Sequence, residues 1–398
     1  MFNLPDYFEF FAPVKIVSGR KAVDNLPYEL DQLQAKRPFI VTDKGIEKAG
    51  LLEIVKKAMD AGEMEIGAIY DETPPDSSIE VVNEAAKLFR ENNCDSIVAI
   101  GGGSVIDTAK GVNIVVTENA DDLSKLMGAE VLKKPMKPFI VIPTTAGTGS
   151  EVTLVAMISN PAEDVKMPFT SYRLFPNTAI IDPRMTMTMP PKITAATGMD
   201  ALTHAMEAYY CNQKNPFSDG YAITAISMIS KYLVRAVKDG KDEEARYVMA
   251  NAATVAGVAF SNSMVGVVHS LGHAAGGVAH IPHGVAMAIF LPIGLEFNIP
   301  VAGKYIGELL LPFAGPEEYA RTPEEKRPYR LIELVNQLRE ELHQLSGLPL
   351  TLKEAGVKED QLEEIAEHAI NDGSLMFNPR DMDRKEALEL IRKAYEGK

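Results

Sequence analysis

From position 37 onward the chain alternates short apolar runs with stretches whose apolar residues recur at helical spacing. RPFIVTD (37–43) is a strand-like run that ends in polar residues, and a helical pattern follows through KAGLLEIVKKAMDAG (48–62). MEIGAIYDE (64–72) predicts a second strand, and the turn TPPDSS (73–78) leads into a helical IEVVNEAAKLFRENN (79–93). CDSIVAIGGGS (94–104) is a third strand running into glycines. IVIPTTAGTGSEVT (140–153) starts as another, and NTAIIDP (177–183) reads as the last. Strands alternating with helices argue for a parallel sheet covered on both faces. After MPP (189–191) strand signals fade, and segments such as ITAATGMDALTHAMEAYY (193–210) and ARYVMANAATVAGVAF (245–260) carry helical spacing only. The pattern predicts a Rossmann-like α/β nucleotide-binding domain over 1–188 and an all-helical, metal-binding catalytic domain over 189–398.

Composition narrows the class. The chain has 398 residues, 46% hydrophobic and 24% charged, which fits a globular protein with a large core. A formal net charge of -15 argues against nucleic acid or an anionic membrane surface as a partner. The two cysteines, Cys94 and Cys211, form no CxxC, which excludes a disulfide framework and a thiolate zinc site. The N-terminus lacks a basic start followed by an apolar run, and no uncharged apolar stretch reaches the ~18 residues of a membrane span. The expectation is a cytoplasmic protein.

Two loops carry candidate cofactor chemistry. In GGGSVIDTAKG (101–111) a buried strand stops at Gly101, Gly102 and Gly103, and a helix begins near Ser104. Glycines let backbone approach a ligand closely, and a helix N-terminus offers free N–H groups to a pyrophosphate. The third glycine of a GxGxxG fingerprint is replaced by Ile106. In IVIPTTAGTGSEVT, the hydroxyls of Thr144, Thr145 and Thr148 suit phosphate, ribose or amide groups. Both loops follow strands, where open α/β sheets bind their ligands. Asp43 also ends a strand. Its carboxylate can accept from an adenosine ribose and repel a 2'-phosphate, although it precedes the glycine loop rather than following it.

The metal signal lies in the helical half. Asp200 and His204 are four apart, and four of the seven histidines, His269, His273, His280 and His283, fall within GVVHSLGHAAGGVAHIPHGVAMAIFLP (266–292). Residues four apart share a helix face. His283, between Pro282 and Gly284, sits at a turn entering another helix. One Asp with three histidines favours Fe(II) or Zn(II) over Mg(II) or Ca(II). Spacing alone does not choose among the four histidines.

GGGSVIDTAK, PTTAGTGSEVT, PPKITAATGMDALTHAMEAY and HSLGHAAGGVAHIPHGVAMAIFLP together closely resemble the iron-containing (group III) alcohol dehydrogenase family, as do the early VTDKG and a late NPR (378–380). The resemblance implies a dehydroquinate synthase-like fold. It implies Asp200, His204, His269 and His283 as metal ligands, with Fe(II), or Zn(II), as the ion. It places His273 beside the nicotinamide as a catalytic proton relay and leaves His280 without a role. For NAD(H) it carries over Asp43, Gly101, Gly102, Gly103, Ser104, Thr144, Thr145 and Thr148, together with Lys166 and Asp76. Phe260 corresponds to a substrate-pocket position. The implied reaction is NAD-dependent interconversion of small primary alcohols or diols and aldehydes, by a homo-oligomer of two or more copies. A zinc enzyme like glycerol dehydrogenase, or a lyase of the same fold, is the alternative. On this reading Asp200 is the one negative charge at a centre otherwise made of neutral imidazoles.

Overall fold

The computed structural model describes residues 5–120, 123–162 and 165–397. The chain divides into two compact units: Ala12–Met189, and the described residues up to Phe11 together with those from Pro190 onward.

Among the described residues the first unit holds nine strands: β1 (Lys15–Ser18), β2 (Pro38–Val41), β3 (Ala68–Tyr70), β4 (Ser96–Gly101), β5 (Gly128–Ala129), β6 (Phe139–Pro143), β7 (Val155–Asn160), β8 (Val165–Thr170) and β9 (Thr178–Ile181). Six form a parallel sheet in the order β1-β9-β6-β4-β2-β3. Its helices include α1 (Lys44–Lys48), α2 (Leu51–Ala61), α3 (Ile79–Glu91) and α4 (Gly103–Glu118). Because side chains alternate along a strand, the sheet feeds two cores. Phe39, Val41, Ile97, Ala99 and Val141 pack with α3 and α4, whereas Ile40, Val98, Ile100, Ile142 and Ile180 pack with α2. The chain runs from β2 outward to β3, then returns past β2 to β4. That reversal opens a crevice at the carboxyl ends of β2 and β4, the usual ligand position in such sheets.

The sequence pattern missed two features of this unit. β1 is a four-residue edge strand with little buried surface, too short to show a period. β7 and β8 form an antiparallel hairpin, with β5 parallel to β8, in a separate three-stranded sheet.

The second unit is helical: α5 (Pro191–Tyr210), α6 (Pro216–Lys238), α7 (Glu243–Ser261), α8 (Val267–Ala279), α9 (His283–Glu308), α10 (Arg327–Ser346), α11 (Leu362–Ile370) and α12 (Arg384–Glu396), with shorter turns between them. The described residues before Ala12 belong here and not with the α/β unit, which corrects a domain beginning at residue 1. The reason is aromatic: Phe8 and Phe10 pack on Phe217 at 5.9 and 5.2 Å, and Phe10 stacks on Tyr221 at 5.7 Å. Helix α9 has the length and mean hydropathy, 1.8, of a membrane span, but 78% of that window is buried inside the protein, as in a core helix. Its apolar run Val285–Leu295 is buried throughout, while Glu296 and Val301 reach the surface.

Candidate metal centre and cofactor loops

Three helices converge on one cluster. α5 presents Asp200 and His204 one turn apart, α8 presents His269, and α9 begins at His283. Close approach of α5 and α9 depends on Gly284, where a Cβ would lie 2.5 Å from the Ala196 carbonyl oxygen. His280 ends α8 in the left-handed region, φ 55°, its N–H bonded to the Gly276 carbonyl, and takes no part in the cluster.

One ligand atom from each of Asp200, His204, His269 and His283 lies within 4.8 Å of the others. Three of these atoms are buried polar orphans: Asp200 Oδ1, His204 Nδ1 and His269 Nε2 have no hydrogen-bond partner. His283 Nε2 lies 3.2 Å from that same Asp200 oxygen, and its side chain is 38% exposed. Orphaned buried donors and acceptors are costly and rare, and three of them converging with His283 on one point fit a cation. Burial opposes ionisation of Asp200, yet the imidazoles of His204, His283 and His269 outweigh it and hold the carboxyl well below its usual range. Burial pushes His204 down to about 3 and His269 well below its ordinary value, so both rings are neutral. A metal ligand requires that lone pair. Carboxylate and imidazole donors without thiolate suit Fe(II) or Zn(II).

His273 stands outside this set. Its ring lies 5.6 Å from that of His269 and 5.4 Å from that of His283, and its Nδ1 is 3.0 Å from Asp372 Oδ2. Phe260 stacks face to face on the His204 ring, 4.1 Å between centroids and 16° between planes. It therefore supports a ligand as well as bordering the site.

Sequence reasoning missed Glu207. It is fully buried on α5, one turn past His204, with Oε2 2.5 Å from His269 Nδ1 and Oε1 accepting from the Val268 N–H at 2.8 Å. Burial pushes its carboxyl up to about 7, against the N–H donors of Gly266 and Val268. A second carboxyl therefore stands directly behind a ligand, bonded to its ring. The available signal was the spacing, since Asp200, His204 and Glu207 share one helix face.

In the α/β unit, the predicted loops meet at the carboxyl ends of three neighbouring strands. β4 ends at Gly101 and α4 starts at Gly103, with Gly102 as an N-cap that has no capping side chain. The Thr144 N–H donates to the Gly101 carbonyl at 3.0 Å, which ties the two loops together. Absent side chains permit this: a Cβ on Gly102 would lie 3.2 Å from Thr145 Cγ2, and one on Gly103 3.0 Å from Thr148 Cγ2. Ser104 donates its hydroxyl to the Pro75 carbonyl. Asp43 caps α1, with Oδ1 accepting from the Gly45 and Ile46 N–H groups at 2.7 and 2.9 Å. Lys166 and Asp76 pair with each other at 3.0 Å, and Ser159 also donates to Asp76.

A second residue missed from sequence supports these loops. Lys110 on α4 is completely buried, and its Nζ bonds the carbonyls of Ser150, Thr153 and Val155 and the Thr153 hydroxyl at 2.7–3.0 Å. Burial pushes its ammonium down to about 8, with Asp107 and Glu151 opposing. Four oxygens around three N–H donors favour the charged form, so we read Lys110 as a cationic strut under the threonine loop.

The comparisons agree with both halves. Residues 13–183 match the model described as iron-containing alcohol dehydrogenase, and residues 194–395 the one described as the Fe-containing alcohol dehydrogenase family, C-terminal. The chain belongs to the iron-containing alcohol dehydrogenase family, and is an oxidoreductase of that class. It is 38% identical to alcohol dehydrogenase 4 of Saccharomyces cerevisiae over 97% of this chain and 98% of that protein. It is 37% identical to an NAD-dependent methanol dehydrogenase of Bacillus methanolicus over 97% and 99% of the two. A solved 1,3-propanediol oxidoreductase superposes with a TM-score of 0.93 at 34% identity, covering 98% of this chain and 100% of the other. Family membership implies a metal and NAD(H).

Proposed function

We propose that this protein interconverts small primary alcohols or diols and aldehydes with NAD(H), using Fe(II) held by Asp200, His204, His269 and His283. The observation that carries this reading is the convergence of four ligand atoms from three helices, three of them buried and partnerless. Membership of the iron-containing family supports iron over zinc. The activities named for the methanol and propanediol relatives support a short primary alcohol or diol. Bound there, a metal would supply Lewis acidity toward an alcohol oxygen and NAD(H) would supply the hydride chemistry.

The chain's own residues do the rest. His273 donates Nδ1–H to Asp372, which leaves Nε2 as the atom to receive the alcohol proton. Its 40% exposed side chain can pass that proton on to water. The N–H groups at the start of α4 and the hydroxyls of Thr144, Thr145 and Thr148 bind the pyrophosphate and nicotinamide portions. Asp43 has both backbone bonds on Oδ1, so Oδ2 serves the adenosine ribose and disfavours a 2'-phosphate. Phe260 borders the substrate pocket.

The test is a panel of linear alcohols, diols and hydroxy acids, followed by NADH absorbance. The chain is stripped of metal and reloaded with Fe(II) or Zn(II). Turnover of a short alcohol that is restored best by Fe(II) is expected. No turnover of any alcohol or aldehyde, or turnover that survives complete metal removal, overturns the reading; best activity with Zn(II) on glycerol points to the zinc enzymes instead.

A further inference from the structure

We infer that Glu207 is the positioning residue of the metal centre: it sets the tautomer of His269 and ties that ring to the start of its own helix. The inference rests on the metal reading above.

The geometry is a clamp. Helix α8 begins at Val267 after Gly266, which supplies no capping side chain. Its first N–H groups would be orphans in a buried setting. Two side chains remote in sequence take them: Asn378 Oδ1 accepts from the Val267 N–H at 3.1 Å, and Glu207 Oε1 from the Val268 N–H at 2.8 Å. The other oxygen of Glu207 reaches His269 Nδ1, one residue further on, and the Tyr210 hydroxyl donates to Oε1 at 3.3 Å. One carboxylate therefore fixes both the backbone and the ring of the same ligand. Ionised, Glu207 only accepts, so Nδ1 carries the hydrogen and Nε2 keeps its lone pair. Nε2 is the buried atom with no partner, facing Asp200, His204 and His283. Gly266 makes room for the clamp, since a Cβ there would lie 2.6 Å from Asn378 Oδ1 and 3.3 Å from Glu207 Oε1. Asn378 is held in turn by a reciprocal amide pair with Asn298, at 2.9 and 3.0 Å. The late NPR motif thus acts at the start of α8.

Glu207→Gln separates positioning from packing. The amide keeps the shape and can still accept from Val268, but its NH2 group faces Nδ1 and favours the opposite tautomer, with a hydrogen on Nε2. Co(II) alone serves as probe, titrated into the metal-free full chain against a competing chelator, with the visible absorption of the bound ion as readout. Wild type binding one Co(II) tests the metal reading; its failure to bind overturns that reading. Given wild-type binding, Glu207→Gln is expected to weaken Co(II) affinity about 10–100-fold, with the melting point of the metal-free form little changed. Asn378→Ala, which removes a cap and leaves the ring bond, is expected to lower that melting point and to weaken Co(II) by less than Glu207→Gln does. Equal affinity in Glu207→Gln and wild type overturns the inference. The ring nitrogens of His269 give a measurement independent of any variant. In 15N-histidine spectra of the metal-free wild type, a proton on Nδ1 is expected, and a proton on Nε2 overturns the inference even where Glu207→Gln fails to fold.

Discussion

The two candidate sites are built on opposite principles. In the helical unit the groups that matter are side chains drawn from α5, α8 and α9, all buried but His283. In the α/β unit they are mostly backbone, exposed where Gly101, Gly102 and Gly103 carry nothing and where threonine hydroxyls line the next strand end. The first site depends on which side chains are present, the second on which are absent. Their supports differ in the same sense: a buried acid behind a ligand in one, a buried cation under a loop in the other.

That contrast predicts that each site can be broken alone. The largest effect is expected from Asp200→Ala or His269→Ala. Loss of a ligand removes several kcal/mol of electrostatic stabilisation, so turnover drops by at least about a thousandfold. Elemental analysis should find the ion gone, while NAD affinity, read by calorimetry, stays near wild type. Retained metal and turnover would show the ligand assignment to be wrong. Next is Lys110→Met, which leaves four loop oxygens without their donor. Buried unsatisfied groups cost about 1–3 kcal/mol each, so the α/β unit should lose at least about 3 kcal/mol in denaturant titration with metal content unchanged. Unaltered stability would mean that Lys110 is not a strut.

Smaller effects sharpen the comparison. Gly102→Ala puts a methyl 3.2 Å from Thr145. Alanine is a poorer N-cap than glycine, so stability is read in parallel, and a weaker NAD affinity, by about tenfold or 1.4 kcal/mol, beyond any loss of stability isolates the need for bare backbone. NAD binding as tight as wild type would remove the glycine loop from the cofactor site. The smallest effect on stability is expected from Asp43→Gly, since glycine retains most of an N-cap's value, within a few tenths of a kcal/mol. Its signature is selectivity: NADP use rises relative to NAD. If NADP use stays as poor as before, Asp43 caps α1 and does not choose the cofactor.

How much of this could be read from sequence followed the same divide. The six-stranded sheet announced itself because its inner strands are continuous apolar runs, and a metal site because Asp200 and His204 lie four apart and four histidines crowd into 266–292, although spacing alone did not choose among those histidines. The hairpin of β7 and β8 did not, because apolar Met157 and Val165 stand at exposed positions, Pro168 interrupts β8, and the two strands pair outside the main sheet. Glu207 was legible only by spacing, since an acid on a helix ordinarily faces water. Lys110 gave no signal, because the oxygens that make its burial tolerable come from a loop some forty residues further on. Non-local partners of this kind are written in no local pattern.

The spread of the ligands over three helices also bears on folding. Asp200 and His283 are separated by roughly eighty residues of chain. An ion that joins them acts as a reversible cross-link, closing a long loop in the way a disulfide would, and the chain-entropy argument values such a closure at about 4–5 kcal/mol. The helical unit should therefore owe part of its resistance to unfolding to whatever metal its surroundings supply. Chelation should lower its denaturation midpoint while leaving that of the α/β unit where it was.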